Sequence, residues 1–238
     1  MNIAVLFNMT EYLNNCVSDQ IIASFVVIFL LCIACVLLGK KIDKLNPTDK
    51  IPKIITFLEL ITTLINNFVR FVIGEKRWKS FAPYILTVAI YLTFANLMGL
   101  TGVFVPPTSS WNVTLGLALI TFFLIHSTGI RSTGLKKYIN SYFSPIFLLF
   151  PVNLIGEVAF PVSLSLRLFG NILSGCVISI MVYGLAAQAG WLGFLFLLAT
   201  PFMHMIFDVF FGIIQVVVFV LLSTIFIGQK IDETELDY

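Results

Sequence analysis

Apolar stretches longer than a soluble core requires recur along this chain, and they differ in length and texture. The first, 21–39, approaches the roughly 20 residues that cross a hydrocarbon core of about 30 Å. Positive charge follows that run instead of preceding it, so the pattern predicts a retained membrane helix and not a cleaved leader. The second, 51–75, is of another kind. Lys53, Thr56, Glu59, Thr63, Asn67 and Arg70 recur every three or four residues among Ile, Leu, Phe and Val, which draws one polar stripe along an otherwise apolar helix. Such a helix suits the membrane interface; a poorly spanning helix packed in a bundle is the other reading.

Runs 81–105 and 113–130 each span, joined by a loop bearing Pro106, Pro107 and Trp111. The pattern then lengthens. Runs 146–187 and 191–228 meet at the turn Ala187-Gln188-Ala189-Gly190. Each holds roughly 40 residues, about 60 Å of helix and twice the hydrocarbon thickness. They tilt steeply or they break into shorter spans, and Pro161 and Pro201 allow breaks. The prediction is an all-α integral membrane protein, one membrane domain over 1–238, with five membrane helices and one amphipathic interfacial helix.

Composition reinforces the pattern: 59% of the 238 residues are hydrophobic and 11% charged, where soluble domains carry about 25% charged residues. The net charge of +2 is too small to point to nucleic acid, and the placement of charge says more. Lys40, Lys41, Lys44, Lys50 and Lys53 follow the first run. Lys76, Arg77 and Lys79 precede the third, Arg131, Lys136 and Lys137 follow the fourth, and Lys230 closes the last. Residues 1–20, 101–112 and 186–193 contain no Lys or Arg. The positive-inside rule then sets the basic loops and the C-terminus in the cytoplasm and the N-terminus outside. Cys32 and Cys35 form a C-x-x-C inside an apolar span, where small buried hydrophobes are the expected role. No metal site, cofactor motif or phosphate loop is visible.

The chemistry gathers in the last two runs. Between Pro145 and Gly228 only Glu157, Arg167 and Asp208 are charged. An arginine at membrane depth is costly, by amounts put anywhere from roughly 2.5 to 17 kcal/mol, and needs an anion or water. At 100° per residue Ser163, Arg167, Gly170, Asn171 and Ser174 share a face, so the guanidinium lies among small and polar groups that admit a close neighbour. Thr200, His204, Asp208 and Gln215 form a second stripe, spaced by four, four and seven. An internal salt bridge from Arg167 to Asp208 or Glu157 would be the purely structural account.

At these positions the chain resembles the a subunit of F-type ATP synthases, the membrane stator beside the rotating c-ring. The resemblance runs through Pro151-Val152-Asn153-Leu154-Ile155-Gly156-Glu157, Ser165-Leu166-Arg167-Leu168-Phe169-Gly170-Asn171 and Gln215, and more weakly through Ala95-Asn96-Leu97-Met98-Gly99-Leu100. It implies that Arg167 is the essential arginine facing the c-ring carboxylate, with Asn171 and Gln215 nearby and Ser163, Gly170 and Ser174 toward the ring. It implies that Asp208 with His204 serves the outer half-channel and Glu157 the cytoplasmic one, in a non-catalytic subunit. It implies long, steeply tilted last helices forming a hairpin. The implied partners are c subunits, the b subunits of the peripheral stalk, the F1 sector indirectly, and the lipid bilayer. Nine residues after the arginine many members carry Glu or His; here it is Cys176. The short N-terminus and the Arg-Leu-Phe-Gly-Asn wording point to a bacterial plasma membrane and away from the mitochondrial inner membrane.

Other classes fit less well. A secondary transporter could hold Arg167 for an anionic substrate, yet no repeated halves are visible. A serine protease pairing Ser174 with His204 lacks the glycine of a Gly-x-Ser motif, because Ile172 stands there. A zinc protease would need His-Glu-x-x-His, and His126 and His204 are far apart. His126 reads as a helix-end or packing histidine.

Overall fold

A computed structural model describes the backbone of residues 3–43, 52–101, 106–143 and 150–231. The side chains of 3–19, 100, 101, 192, 197, 204, 207 and 208 lie outside the described residues. The described residues are helical with no strand: α1 (Ile3–Ile42), α2 (Lys53–Ile73), α3 (Trp78–Leu97), α4 (Trp111–Thr133), α5 (Leu135–Ser141), α6 (Phe150–Gln188), α7 (Gly193–His204) and α8 (Phe211–Gln229). Short 3₁₀ turns cover Met98–Thr101, Pro107–Ser109 and Gly190–Leu192, and a π-helical turn, Met205–Phe210, joins α7 to α8.

Six of these helices, α1, α2, α3, α4, α6 and α8, are long and apolar enough to cross a membrane. Their outward side chains confirm an all-α membrane protein: Phe71, Phe25, Phe29 and Ile155 are all about two-thirds or more exposed, and soluble proteins rarely expose contiguous apolar surface on that scale. Burial within the chain differs by helix. In the most apolar stretches of α3 and α8, 39% of residues are buried, against 11% in α6. α3 and α8 thus bury a larger share of their own residues, and α6 keeps most of its circumference free. Only Pro161, Leu164, Ser165, Leu168 and Gly175 form its buried stripe.

Pro161 sits inside α6 without ending it, so the helix runs unbroken for 39 residues. The last apolar run is not continuous in this way. Pro201 lies in α7, and a proline removes one ladder donor and crowds the preceding turn. The helix then loosens into the π turn before α8 resumes. In α2 the stripe Lys53, Thr56, Glu59, Thr63, Asn67 and Arg70 is exposed, and so are Ile54, Phe57, Leu60, Leu64 and Phe71 beside it. Gly74 ends that helix at φ 87°, a left-handed conformation that side chains resist, and its N–H bonds to Arg70 O at 3.0 Å.

The contacts divide into two compact units. One contains Met1–Phe29, Leu92–Leu117 and Ser163–Val216. Its organiser is Asn96, buried, whose Nδ2 donates to Gly212 O at 3.2 Å while its Oδ1 accepts from Thr108 Oγ1 at 3.0 Å. One amide thus ties the end of α3 to α8 and to the loop beyond. Gly212 permits this approach, since a Cβ there would stand 3.2 Å from Asn96 Cβ. Trp111 Nε1 donates to the buried Ser165 Oγ at 3.3 Å, linking α4 to α6.

The other unit contains Leu30–Tyr91, Ala118–Val162 and Val217–Tyr238. Tyr84 and Thr121 join α3 to α4 through hydroxyls 2.7 Å apart. Phe160 packs on Phe226, with ring centres 4.3 Å apart, joining α6 to α8. Tyr138 of α5 lies so close to Gly129 that a Cβ there would fall 2.5 Å from its ring.

Candidate functional site

Arg167 belongs to the first unit and projects from the exposed flank of α6. Leu164, Ser165 and Leu168 turn inward and are at most 1% exposed, which leaves Ser163, Arg167 and Ser174 outward and Gly170 and Asn171 at the margin. These residues follow one side of α6, as their spacing requires. Nothing stands within 4 Å of a Cβ placed on Gly170, so the surface beside the guanidinium is open. Ser174 Oγ donates to Asn171 O at 2.9 Å, a local bond that leaves the Asn171 amide free of that duty. Among the described residues no hydrogen bond or ion pair joins Arg167 to another side chain.

Gln215 of α8, in the same unit, is 5% exposed, and its Nε2 has no hydrogen-bond partner among the described residues. Thr200 is buried as well, so the two ends of the second polar stripe both turn inward. The backbone at His204 closes α7 and that at Asp208 lies in the π turn; their side chains lie outside the described residues.

Glu157 belongs to the second unit and is the opposite of Arg167 in its surroundings. Lys230, just past α8, pairs with its Oε1. Tyr142 donates to the same oxygen at 3.2 Å, and His126 Nε2 of α4 stands 3.7 Å from Oε2. The side chains of Glu157, Lys230 and His126 are 18%, 21% and 22% exposed, so the Glu157 and Lys230 charges neutralise one another largely out of water. Tyr138 and Tyr142 hydroxyls are 2.8 Å apart, and Lys230 Nζ lies 5.4 Å from the centre of each ring, within cation–π range. Asn153 Nδ2 donates to Tyr142 O at 3.0 Å and steadies that residue. Burial first, then the bond with Tyr138 and the Glu157 charge, push the Tyr142 hydroxyl well above the usual phenol range. It remains a proton donor at any working pH. An open cavity of about 530 Å³ reaches this cluster, lined among others by Tyr142, Asn153, Glu157, Phe226 and Lys230.

Of the two internal salt bridges considered for Arg167, the acid of one, Glu157, pairs with Lys230 and stands near His126, and the other, to Asp208, lies outside the described residues. Sequence reasoning missed those partners. Lys230 reads only as a basic end-marker and His126 as packing, because no periodicity links positions 126, 142, 157 and 230.

An arginine with no ion pair among the described residues and a carboxylate paired beside an open cavity lie on one helix long and apolar enough to cross a membrane, the mark of a membrane protein that keeps charge in an apolar helix. Residues 21–228 match the family described as ATP synthase A chain. ATP synthase subunit a of Desulfosudis oleivorans is 35% identical over 220 residues, covering 90% of this chain and 89% of that protein. The same subunit of Geobacter sulfurreducens is 34% identical, covering 91% and 89%. ATP synthase subunit a 2 of Syntrophotalea carbinolica is 35% identical over 181 residues, covering 74% and 72%. The chain belongs to the ATP synthase A chain family. It is a bacterial membrane subunit of the Fo sector, engaged in proton transport for ATP synthesis.

Proposed function

We propose that this chain couples ion flow to rotation of a c-ring, with Arg167 as the fixed charge between two half-channels. The observation that carries the reading is a guanidinium with no ion pair among the described residues, on the exposed, small-residue flank of α6. A charge so costly in a membrane calls for an anion from another molecule, and a carboxylate on a ring subunit supplies it. Arginine suits the task because its guanidinium, with a pKa above about 12, attracts a carboxylate without giving up its own proton. At about 4 Å and an effective dielectric near 20 that attraction is roughly 4 kcal/mol, enough to favour ionisation of the arriving acid about a thousandfold.

A ring acid that arrives protonated releases its ion beside Arg167, passes it, and is reloaded from the other half-channel. Each charge that crosses 100 mV contributes about 2.3 kcal/mol to the rotation. Asn171 and Gln215 flank the arginine's path. Asp208 with His204 serves the outer half-channel, and Glu157 with its cavity serves the cytoplasmic one. Ser163, Gly170 and Ser174 let the ring approach. The chain itself performs no ATP chemistry, which resides in F1. Besides the ring it meets the b subunits of the peripheral stalk. In this reading α2 lies in the interface, its polar stripe toward water and its apolar neighbours toward lipid. The other five long helices cross the membrane, the last two as a tilted hairpin, with the N-terminus outside and the C-terminus in the cytoplasm.

Cysteine crosslinking tests the ring-facing surface. In a background without the native cysteines, Ser163→Cys and Ser174→Cys should crosslink to the outer helix of the ring. A cysteine retained at 176, half a turn from Arg167, should not. Equal crosslinking from both sides of α6 would overturn the assignment.

A further inference from the structure

The two oxygens of Glu157 face different neighbours. Oε1 takes the Lys230 ammonium and the Tyr142 hydroxyl. Tyr142 has one proton and gives it to Glu157, so the short contact between the two tyrosines is a donation from Tyr138 to Tyr142. Two donors therefore occupy Oε1, and a proton could join it only by displacing one of them. Oε2 is left to His126, 3.7 Å away.

His126 is held in one tautomer. Its Nδ1 lies 3.1 Å from Phe122 O, a carbonyl that can only accept, so Nδ1 carries the hydrogen. In the neutral ring Nε2 then presents a lone pair to Oε2. Two acceptors face each other stably only with a proton between them, on the ring or on the carboxyl group, reached by a small rotation or through one water. Among the described residues, the titratable and charged groups facing this pair are Tyr138 of α5, Tyr142 at its end, and Lys230 beyond α8. Each acts as a donor, so none competes with the pair as a proton acceptor.

We propose that His126 is a proton-handling residue of this subunit, exchanging one proton between its Nε2 and Glu157 Oε2, while Lys230 and Tyr142 are positioning residues that pin Oε1. The proposal rests on the ion-conducting reading above. In the transfer the Nε2–H bond breaks, its electron pair stays on nitrogen, and an Oε2–H bond forms. The imidazolium becomes neutral and the carboxylate becomes the acid. The acid releases its proton to water in the 530 Å³ cavity that Glu157 lines, and the reverse sequence loads the pair.

The test uses the whole purified complex in vesicles, with ATP-driven proton pumping and passive proton flux measured from pH 6 to 9. His126→Gln keeps the size and a polar contact but cannot hold the proton. It should lower both fluxes about tenfold and flatten their pH profile. Lys230→Met removes the ammonium from Oε1, so the pair grips its proton more tightly and the acidic limb of the profile should move about one unit higher. Lys230→Arg should return it toward the parent. Parent-like flux and profile in His126→Gln, or an unshifted profile in Lys230→Met, overturns the relay. If His126→Gln fails to assemble, the Lys230 pair decides alone. Arg167→Ala in the same assay separates the two levels: coupled pumping there would remove the ion-conducting reading itself, whereas a dead Arg167→Ala beside a silent His126→Gln removes only the relay.

Discussion

Arg167 and Glu157 lie on one helix, ten residues apart, and the chain treats them in opposite ways. Glu157 is met by Lys230, Tyr142 and His126, whereas Arg167 stands on an open flank with no ion pair among the described residues. The fold can satisfy a charge in an apolar helix, since it does so at Glu157. Among the described residues Arg167 has no such partner, which supports the proposal that a second molecule completes the site.

The contrast breaks most sharply at the arginine. Arg167→Ala should abolish ATP-driven pumping and ATP synthesis in reconstituted vesicles, by more than a hundredfold, while the complex still purifies intact. Arg167→Lys should be nearly as damaging, because a compact ammonium does not reproduce the fixed planar charge. Normal coupled synthesis in either variant would sink the assignment.

Asp208→Asn should lower pumping and synthesis about tenfold, less than the loss at Arg167, because water can still occupy an outer path. Cys176→Glu in that background should recover part of the flux if the two positions line one cavity. Parent-like conduction of Asp208→Asn at every pH would leave Asp208 a structural partner only.

On the saturated side the effects should be smaller. Tyr142→Phe removes one of the two donors on Oε1 but leaves Lys230, and flux should fall two- to threefold. Its sign with pH is fixed by the raised Tyr142 hydroxyl. A phenol that holds its proton more firmly in the folded state contributes stability present below about pH 10 and lost only above it. Tyr142→Phe should therefore leave the shape of the flux profile from pH 6 to 9 unchanged, and a new inflection in that range would contradict the assignment of Tyr142 as a fixed donor. Gly129→Ala should matter least. Its methyl would press on the Tyr138 ring, a crowding that costs about 1–3 kcal/mol and should show as a lower melting temperature of the complex with activity largely kept.

How much of this could be read from the residues alone depended on range. The Arg167 face was legible because helical spacing is local: Ser163, Arg167 and Ser174 fall on the outward side and Leu164 and Leu168 inward, as 100° per residue requires. The polar stripe of α2 was legible for the same reason. The Glu157 cluster was not, since it gathers residues from α4, α6 and the ends of α5 and α8, and separations of 15 to 73 positions leave no periodic trace. Asn96 was visible within a motif, but its task of joining Gly212 to Thr108 depends on packing that spacing does not encode. The π turn was also hidden: Pro201 allowed a break in the last run, yet nothing in the pattern placed a loosened turn at Met205–Phe210.

That turn has a consequence for the length of the last helix. An α-helix that gains or loses one residue rotates everything beyond it by 100°, which here would swing Gln215 off its buried face. A π turn is a place where a surplus residue is already stored as a local bulge. Removing one residue between Met205 and Phe210 should let the ladder close as ordinary α-helix, with α7 and α8 keeping their mutual phase. The same deletion within α8 should scramble its packing. The six residues around Asp208 are thus the slack in an otherwise rigid rod, and the stretch of α7 and α8 where a change of chain length costs the rest of the subunit least.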